Sequence, residues 1–112
     1  MPVKCDRTVG DLPSCTVPIS LTGRVFRQDF SHQIMIGIEK APIEFEPPIF
    51  ATTYAVTQTD GANQIAYIQD EINSSYYPAI VEKGFVLGKV IYFNYDPSLT
   101  RQIFTNTIKY LQ

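Results

Sequence analysis

The chain has 112 residues and a formal net charge of −2, and 45% of its residues are hydrophobic while 18% are charged. That is the length of one ordinary domain with a core of its own, and a disordered chain would show the opposite balance of apolar and charged residues. The net negative charge also excludes a general electrostatic attraction to nucleic-acid phosphates.

The first 16 residues are predicted to be an irregular N-terminal arm of a single domain that spans residues 1–112. Gly10, Asp11 and Pro13 favour turns, and no periodic apolar pattern surrounds them. The arm lacks the apolar stretch of a signal peptide, which predicts a soluble protein that is cytoplasmic as synthesised. Because the arm has so little apolar content, we expect adjacent molecules to order it.

Cys5 and Cys15 are the two cysteines of the chain. In a reducing cytosol both are expected to be thiols, whereas outside a cell they are a candidate disulfide that would fasten the N-terminal arm. Their spacing matches no metal-binding pair, and neither cysteine has a histidine at a spacing that indicates a catalytic nucleophile.

Three segments alternate apolar and polar residues with a period of two, which predicts strands: 17–22, 33–39 and 50–56. The many β-branched residues in these segments suit a pleated sheet. Gly23 interrupts the first pattern and is interpreted as a bulge.

Prolines at positions 42, 47 and 48 bracket a short acidic segment that is predicted to be an edge strand or an extended loop. If this segment is extended, Glu44 and Glu46 share a face, and paired carboxylates can bind Ca²⁺ or act in acid–base catalysis. Protection of a sheet edge by charge and proline is the favoured interpretation.

Asp60 and Gly61 lie between apolar segments and predict a hairpin turn whose second strand starts at Gln64. Apolar residues in 64–73 also recur at helical spacing, so helix and strand both stay open for this segment. Farther on, a turn at Lys83 and Gly84 is predicted to lead into a strand.

Both faces of segment 85–94 are apolar, which predicts a central strand that is covered on both sides. Asp96 followed by Pro97 is a typical helix start. Segment 98–111 is interpreted as a C-terminal helix, with a strand as the alternative. The predicted fold is therefore mainly β, with α+β possible: a small antiparallel barrel or a sandwich-like sheet with one C-terminal helix.

The single histidine, His32, is the first candidate for chemistry. Acid–base catalysis and zinc binding need partners that converge on such a residue, and no sequence spacing predicts them. The chain also contains no HExxH, CxxC, P-loop or GxGxxG motif. We therefore expect a protein that is not an enzyme, with no catalytic residue, cofactor or metal site.

Five tyrosines are candidate interface residues, because tyrosine buries a ring while keeping a polar tip in water. They are Tyr67, Tyr76, Tyr77, Tyr92 and Tyr95. An aromatic sheet face near lysines could also hold single-stranded nucleic acid. The aromatic and basic residues are not interleaved, however, and the chain is acidic overall, so a nucleic-acid partner is not expected.

Charge is distributed unevenly, with +1 over residues 1–31, −5 over 32–71 and +2 over 72–112. An acidic middle between basic ends could guide head-to-tail packing of copies. The favoured function is a non-enzymatic structural subunit of a multi-copy assembly such as a virus particle, with copies of itself as partners. A small cytosolic binding module or regulator and a single-stranded nucleic-acid binder are the alternatives. No membrane segment is predicted, because no apolar run approaches about 20 residues.

Overall fold

Strands dominate the computed structural model, which describes residues 2–5, 17–43 and 45–112. The predicted mainly β fold with a C-terminal helix is confirmed, and no helix within those ranges is long and apolar enough to cross a membrane. In chain order the elements are β1 (Val3–Cys5), β2 (Ile19–Arg27), a 3-10 helix (Gln33–Met35), β3 (Lys40–Ala41), β4 (Ile49–Thr53), β5 (Val56–Gln58), β6 (Asn63–Asp70), β7 (Tyr76–Phe85), β8 (Gly88–Phe93), a second 3-10 helix (Pro97–Leu99) and α1 (Arg101–Leu111).

Six strands form one antiparallel sheet in the order β3-β2-β6-β7-β8, and β4 pairs with the first half of β2. In the part of the chain that the structure describes, β3 and β8 end this path and the sheet does not close into a barrel. A separate two-stranded sheet is made by β1 and β5. The predicted barrel is therefore wrong, whereas the sandwich-like alternative is compatible with the two sheets.

The main core lies between one face of the large sheet and a layer made by the first 3-10 helix and α1. Ile34 and Met35 from that 3-10 helix and Ile103 from α1 are fully buried there. A smaller apolar cluster on the opposite face joins Val3 and Val56 of the small sheet to β7. We call these two sides of the large sheet the inner and outer faces.

The strand that is covered on both sides is β7, because Ile80 belongs to the inner core while Val81 belongs to the outer cluster, and neither side chain is exposed. The prediction had assigned this position to 85–94. In the structure β8 is an edge strand, and its first three residues are exposed. Pro78 hides β7 in the sequence, since proline is unusual in a central strand; here it lies beside register shifts in the β6–β7 pairing.

Gly23 is not a bulge, because it is the last paired residue of the β2–β4 ladder, opposite Ile49, and the first of the β2–β6 ladder, opposite Asp70, and neither ladder has a register shift. A Cβ atom at Gly23 would lie 1.9 Å from the carbonyl oxygen of Gln69. The glycine therefore permits a close approach of two backbones.

The predicted strand at 33–39 is wrong, because Gln33–Met35 forms a 3-10 helix. His32 caps this helix by accepting a hydrogen bond from the backbone N–H of Ile34. Gly37 follows with a φ of +76°, which ends any extended run. The alternating isoleucines predicted a strand with one buried face, which would bury every second residue. In the structure the adjacent residues Ile34 and Met35 are both buried.

The predicted strand at 50–56 is divided, since β4 ends at Thr53 and β5 begins at Val56. The turn at Asp60 and Gly61 is confirmed, with a φ of +80° at Gly61. Its two flanking strands do not pair with each other, because β5 pairs with β1 while β6 pairs with β2 and β7. The hairpin prediction is therefore wrong, and β6 decides the open segment 64–73 in favour of a strand that ends at Asp70.

The predicted turn at Lys83 and Gly84 is also wrong, because both residues lie within β7 and the chain reverses at Val86 and Leu87. At the C-terminus, Asp96 accepts a hydrogen bond from the backbone N–H of Ser98 and caps the second 3-10 helix. The predicted helix then follows as α1, which decides 98–111 in favour of helix.

The N-terminal arm was predicted to be irregular, yet Val3–Cys5 forms β1 and Val3 is buried. Residues 6–16 lie outside the described residues.

The buried side chain of Asn94 fastens the outer layer to the large sheet. It accepts a hydrogen bond from the backbone N–H of Tyr54 and donates to the carbonyl oxygens of Tyr54 and Pro78. This satisfies three backbone groups where the β4–β5 connection crosses β7.

Candidate functional site

Residues 83–90 form a two-stranded extension of the large sheet, which we call the projecting hairpin. The pairing of β6 with β7 ends at Asn63 and Glu82. Beyond that point β7 and β8 pair only with each other, through three registered pairs from Lys83↔Val90 to Phe85↔Gly88. At about 3.4 Å per residue the hairpin reaches roughly 10 Å past the end of β6.

The tip of the projecting hairpin is apolar and lies in solvent. Val86 and Leu87 are fully exposed, at 101% and 99%, and Phe85 and Val90 are exposed at 51% and 42%. Two-residue hairpin turns favour asparagine and glycine with positive φ, but here the turn is Val86-Leu87 and neither residue takes a positive φ. The residues at the tip therefore suit contact with another apolar surface better than they suit the turn.

Two lysines hold the base of the projecting hairpin against the body. Lys83 on the outer face donates from Nζ to Thr59 Oγ1 at 3.3 Å. Lys89 on the inner face places its Nζ 3.7 Å from the centre of the Tyr110 ring, a cation–π contact with α1. Isolated two-stranded hairpins are marginally stable, so these contacts on both faces help to fix the direction of the tip.

His32, Glu82 and Tyr110 meet just below the hairpin. His32 Nε2 lies 3.0 Å from Glu82 Oε1, and the Tyr110 hydroxyl donates to Glu82 Oε2. Because His32 Nδ1 accepts from the backbone N–H of Ile34, the ring carries its proton on Nε2 and donates it to Glu82. The hydrogen bond to Glu82 raises the pKa of Tyr110.

This cluster has the geometry of a structural link. Both nitrogens of His32 already have partners, and its side chain is 8% exposed. The three residues come from the start of the first 3-10 helix, from β7 and from the end of α1, so their hydrogen bonds fasten the inner layer to the sheet. No group of three or more metal-ligating side chains occurs among the residues the structure describes.

A groove of about 710 Å³ lies beside β3, at the opposite edge of the large sheet from β8. We call it the loop groove; residues 37–43, 45–46 and 99–103 line it. Apolar side chains contribute to both walls, with Ile43 and Phe45 on the loop side and Leu99 on the helix side. Phe45 is 93% exposed, so the loop presents an aromatic ring to solvent.

One arginine organises the wall of the loop groove. Arg24 donates from Nε to Glu71 Oε1 at 2.8 Å. Its terminal nitrogens donate to the carbonyl oxygens of Pro42, Ile43 and Glu46 at 2.9, 3.0 and 2.7 Å. Hydrogen bonds from a charged donor are among the stronger ones. These bonds therefore hold Pro42, Ile43 and Glu46 of the loop to β2.

The predicted pair of carboxylates in this loop is described only in part, because Glu44 lies outside the described residues. Glu46 is exposed, and its backbone carbonyl is bound by Arg24. Of the two predictions for this segment, an edge strand or an extended loop, the described residues form a loop, and this loop turns rather than extends because the backbone N–H of Glu46 bonds the carbonyl oxygen of Ile43.

The five candidate interface tyrosines do not share one surface. Tyr67 and Tyr76 lie together on the outer face, with ring centres 5.9 Å apart. Tyr77 packs against the main core and Tyr92 against the outer cluster. Tyr95 is buried and its hydroxyl bonds Thr100 Oγ1 at 2.6 Å, and burial raises its pKa. Tyr95 is thus a core residue.

Two phenylalanines lie on the same face as Tyr67 and Tyr76. Phe26 stacks on Tyr67 with ring centres 5.3 Å apart. Phe50, on the neighbouring β4, is 71% exposed, and Tyr76 is 69% exposed. We call these four residues the aromatic strip. The sequence showed their alternation, but the pairing of distant strands that brings them together could not be read from it.

The candidate disulfide is outside the reach of the described residues, because Cys15 falls in 6–16. Cys5 ends β1 and is disulfide-bonded. The pairing of Cys5 with Cys15 stays a prediction.

The geometry thus contains two apolar surfaces at opposite edges of one sheet, together with the aromatic strip and the polar cluster of His32, Glu82 and Tyr110. Comparison with known proteins adds no relative: no family model matches the chain, and neither the curated proteins nor the solved structures contain a significant match.

Proposed function

We propose that this chain is a non-enzymatic structural subunit of a multi-copy assembly. The observation that carries the proposal is the projecting hairpin, whose tip places Val86 and Leu87 entirely in solvent. An apolar side chain that stays in water contributes nothing to the stability of the fold, whereas burying it against a partner gains about 1.5–3 kcal/mol. Contiguous exposed apolar patches are typical of interaction sites.

The polar cluster of His32, Glu82 and Tyr110 supports the proposal that the chain is not an enzyme. An acid–base catalyst must reach its substrate, but His32 is engaged at both ring nitrogens and is nearly buried. Neither His32 nor Glu82 lines the loop groove. The function of the cluster is then to join α1 to β7, which also supports the base of the hairpin.

We propose in particular a component of a virus particle, such as its capsid, connector or tail. A cytosolic binding module would use the same surfaces for a different protein, so the two functions differ in whether the chain associates with itself.

The aromatic strip favours a second candidate function, the binding of single-stranded nucleic acid, because bases stack on exposed aromatic rings. Two cations lie beside the strip in the register: Lys40 is opposite Phe26, and Arg24 is opposite Gln69 on β6. The guanidinium of Arg24 is occupied by Glu71 and by loop carbonyls. Phosphates would have to compete with those bonds, and the chain is acidic overall, which makes this function the weaker candidate.

Light scattering coupled to size-exclusion chromatography tests the proposal on the full chain. We expect the molar mass to rise with concentration from the 12.7 kDa of one copy towards multiples of it. A constant mass of one copy from micromolar to millimolar concentration would contradict self-assembly. Binding of an oligothymidylate that weakens steeply with salt would favour the second candidate instead.

A further inference from the structure

We infer that two copies of the chain pair through the free edges of their β8 strands, about a two-fold axis at Ile91, so that two sheets become one. This inference rests on the proposed assembly function and names a partner for the projecting hairpin, because β8 is the second strand of that hairpin. A contact in which both copies use the same surface is isologous, and it gives a closed dimer as the unit of a larger assembly.

The free edge of β8 offers a regular row of backbone groups. This strand ends the path of the large sheet and pairs with β7 without a register shift. The N–H of Asn94 donates to the carbonyl oxygen of Ala79 on β7. Because the N–H and C=O groups of an antiparallel strand point to alternate sides, those of Lys89, Ile91 and Phe93 point away from β7. Among the residues that the structure describes, no backbone group bonds them on that side.

The β8 edge lacks the usual protection against pairing with another strand. It has six residues, without a bulge, a proline or an acidic side chain, whereas β3 at the other end of the sheet has only two residues. The single charge on β8 belongs to Lys89, whose Nζ lies over the Tyr110 ring on the inner face and not along the edge. An unprotected edge of this length is a template for another strand.

A second β8 fits this edge in one register. When Ile91 lies opposite Ile91 of the second copy, Lys89 lies opposite Phe93 in both directions. Each of these pairs exchanges two backbone hydrogen bonds, so every outward group finds a partner. No like charges meet, since each lysine faces a phenylalanine. Moving the axis to Val90 or Tyr92 leaves Phe93 or Lys89 without an outward-facing partner on β8.

An exposed apolar stripe on α1 gives the edge a second layer. Phe104, Ile108 and Leu111 are four and three residues apart and therefore share one flank of the helix. They are exposed at 42%, 45% and 46%, although Ile103 on the neighbouring side of the helix is fully buried. The helix thus has more apolar surface than its own sheet covers.

This stripe points towards the β8 side of the molecule. The other flank of α1 contacts the first 3-10 helix, where Asn106 donates to the carbonyl oxygen of Ile34 at 3.0 Å. That 3-10 helix connects β2 to β3, at the far side of the sheet from β8. The end of α1 lies over β8, where Lys89 contacts Tyr110. Pairing of two β8 strands therefore turns the two stripes towards each other on the inner face.

The size of the surface suits a specific dimer. Residues 88–94 of the two copies run side by side for about 24 Å, at about 3.4 Å per residue. The molecule is 20 Å across its shortest dimension. Each copy therefore contributes roughly 500 Å², and the total of about 1,000 Å² reaches the lower limit of specific contacts. Val86 and Leu87 run on past Asn94 of the second copy, which covers part of the exposed tip and adds to this area.

Amide hydrogen exchange of the full wild-type chain, followed by nuclear magnetic resonance, reads the pairing directly. At a concentration where light scattering gives one copy, the N–H groups of Lys89, Ile91 and Phe93 should exchange fast. Where the mass has doubled, their exchange should slow by about tenfold or more, because each now donates to a carbonyl oxygen of the second copy. The N–H groups of Val90 and Tyr92 face β7 and should be protected at both concentrations.

A matched pair of variants tests the backbone edge by sedimentation velocity. Lys89→Pro removes an N–H that points away from β7, so it breaks no bond of the β7–β8 ladder, and proline is found at such edge positions. Lys89→Ala is the control, because it loses the same side chain and its contact with Tyr110 but keeps the N–H. We expect K89P to dimerise about tenfold more weakly than K89A.

A second pair tests the stripe on α1. Ile108→Lys places a positive charge where the two stripes meet, so dimerisation should weaken by about tenfold or more. Thr105→Lys adds the same charge at an exposed position outside the stripe and should change dimerisation by less than about threefold. Equal dimerisation of I108K and T105K would mean that the stripes do not meet, and the two-fold arrangement would be wrong.

The outcomes separate this inference from the proposed function. If the wild-type chain is monomeric at every concentration, both fail. If it associates while the exchange of Lys89, Ile91 and Phe93 stays fast, or if K89P associates as well as K89A, copies meet elsewhere; the β8 pairing is then wrong while the assembly function stands. Melting temperatures identify any variant that has lost its fold, and for such a variant the exchange of the wild type decides.

Discussion

The middle and the C-terminal end of β7 have opposite environments although they belong to a single strand. In the middle, Ala79, Ile80 and Val81 are entirely buried between the two layers. At the C-terminal end, Phe85 is half exposed and leads into a turn that is wholly in solvent. Apolar residues therefore stabilise the fold in the middle of the strand and contribute little to it at this end.

This difference separates variants into two groups. Changes in the buried part of β7 and its neighbours should lower the free energy of unfolding, whereas changes at the hairpin should alter association and leave stability nearly unchanged. A hairpin variant that lowers the free energy of unfolding, or a buried β7 variant that leaves it unchanged, would contradict this difference.

The largest effect is expected for Ile80→Ala. The side chain lies fully inside the main core, so its truncation leaves a cavity and should lower the free energy of unfolding by about 2–5 kcal/mol. Urea denaturation followed by circular dichroism measures it. A loss below about 1 kcal/mol would show that the core is less tightly packed than the structure describes.

Asn94→Ala should be the next most harmful. It leaves the backbone N–H and carbonyl of Tyr54 and the carbonyl of Pro78 without their side-chain partner, at a cost of about 1–3 kcal/mol. Asn73→Ala is the matched comparison: it loses one exposed hydrogen bond, from the backbone N–H of Ser75, and should cost less. Equal denaturation midpoints for the two variants would contradict the role of Asn94.

Glu82→Gln tests the polar cluster of His32, Glu82 and Tyr110. A glutamine can still accept from Tyr110, but its amide group faces the proton on His32 Nε2, so we expect a loss of about 1–2 kcal/mol. The hydrogen bond to Glu82 raises the pKa of Tyr110, so this pKa should fall in the variant. Ultraviolet absorbance of tyrosinate during an alkaline titration reports it; an unchanged titration curve would mean that Glu82 does not hold the hydroxyl.

A smaller, pH-dependent effect is expected for Asp29→Asn. Hydrogen bonds from Asn63 and Ser31 lower the pKa of Asp29 below its usual value, so the folded state favours the ionised form. The resulting stability is present above the pKa of the unfolded chain, near 4, and is lost as the pH falls through the folded pKa. The variant should narrow the stability difference between pH 6 and pH 3 relative to the wild type. The same difference in both proteins would rule out this linkage.

The smallest effect on folding is expected for Leu87→Ser at the hairpin tip. Because this side chain is fully exposed, the free energy of unfolding should change by less than about 0.5 kcal/mol. Self-association should weaken all the same. A clear loss of stability would mean that Leu87 contributes to the fold, and it would remove the contrast between the middle of β7 and the hairpin.

Local signals in the sequence were sufficient for several elements. The Asp60-Gly61 turn and the cap at Asp96 were predicted correctly, because a few adjacent residues determine each one, although Asp96 caps a 3-10 helix and α1 begins only at Arg101. The strand predicted at 33–39 was wrong because alternation of isoleucines describes a strand only if one face is buried. In the structure Ile34 and Met35 are buried side by side.

The candidate site was mostly hidden from the sequence. The sequence shows an apolar run between two glycines, Gly84 and Gly88. It could not show that β6 begins only at Asn63, opposite Glu82, so that this run of β7 and β8 projects beyond β6. The loop groove depends on bonds from Arg24 to residues about 20 positions away. Long-range register and side-chain ties of this kind have no local signature.

Concentration-dependent nuclear magnetic resonance of the isotope-labelled chain tests the central claim most directly, because it locates the surface through which copies associate. On raising the concentration, we predict that backbone signals of 84–88, at the exposed tip of the projecting hairpin, shift while those of the Ile72 turn stay fixed. If the signals of 84–88 stay fixed while others shift, or if the shifts are confined to the aromatic strip, copies do not join through the hairpin.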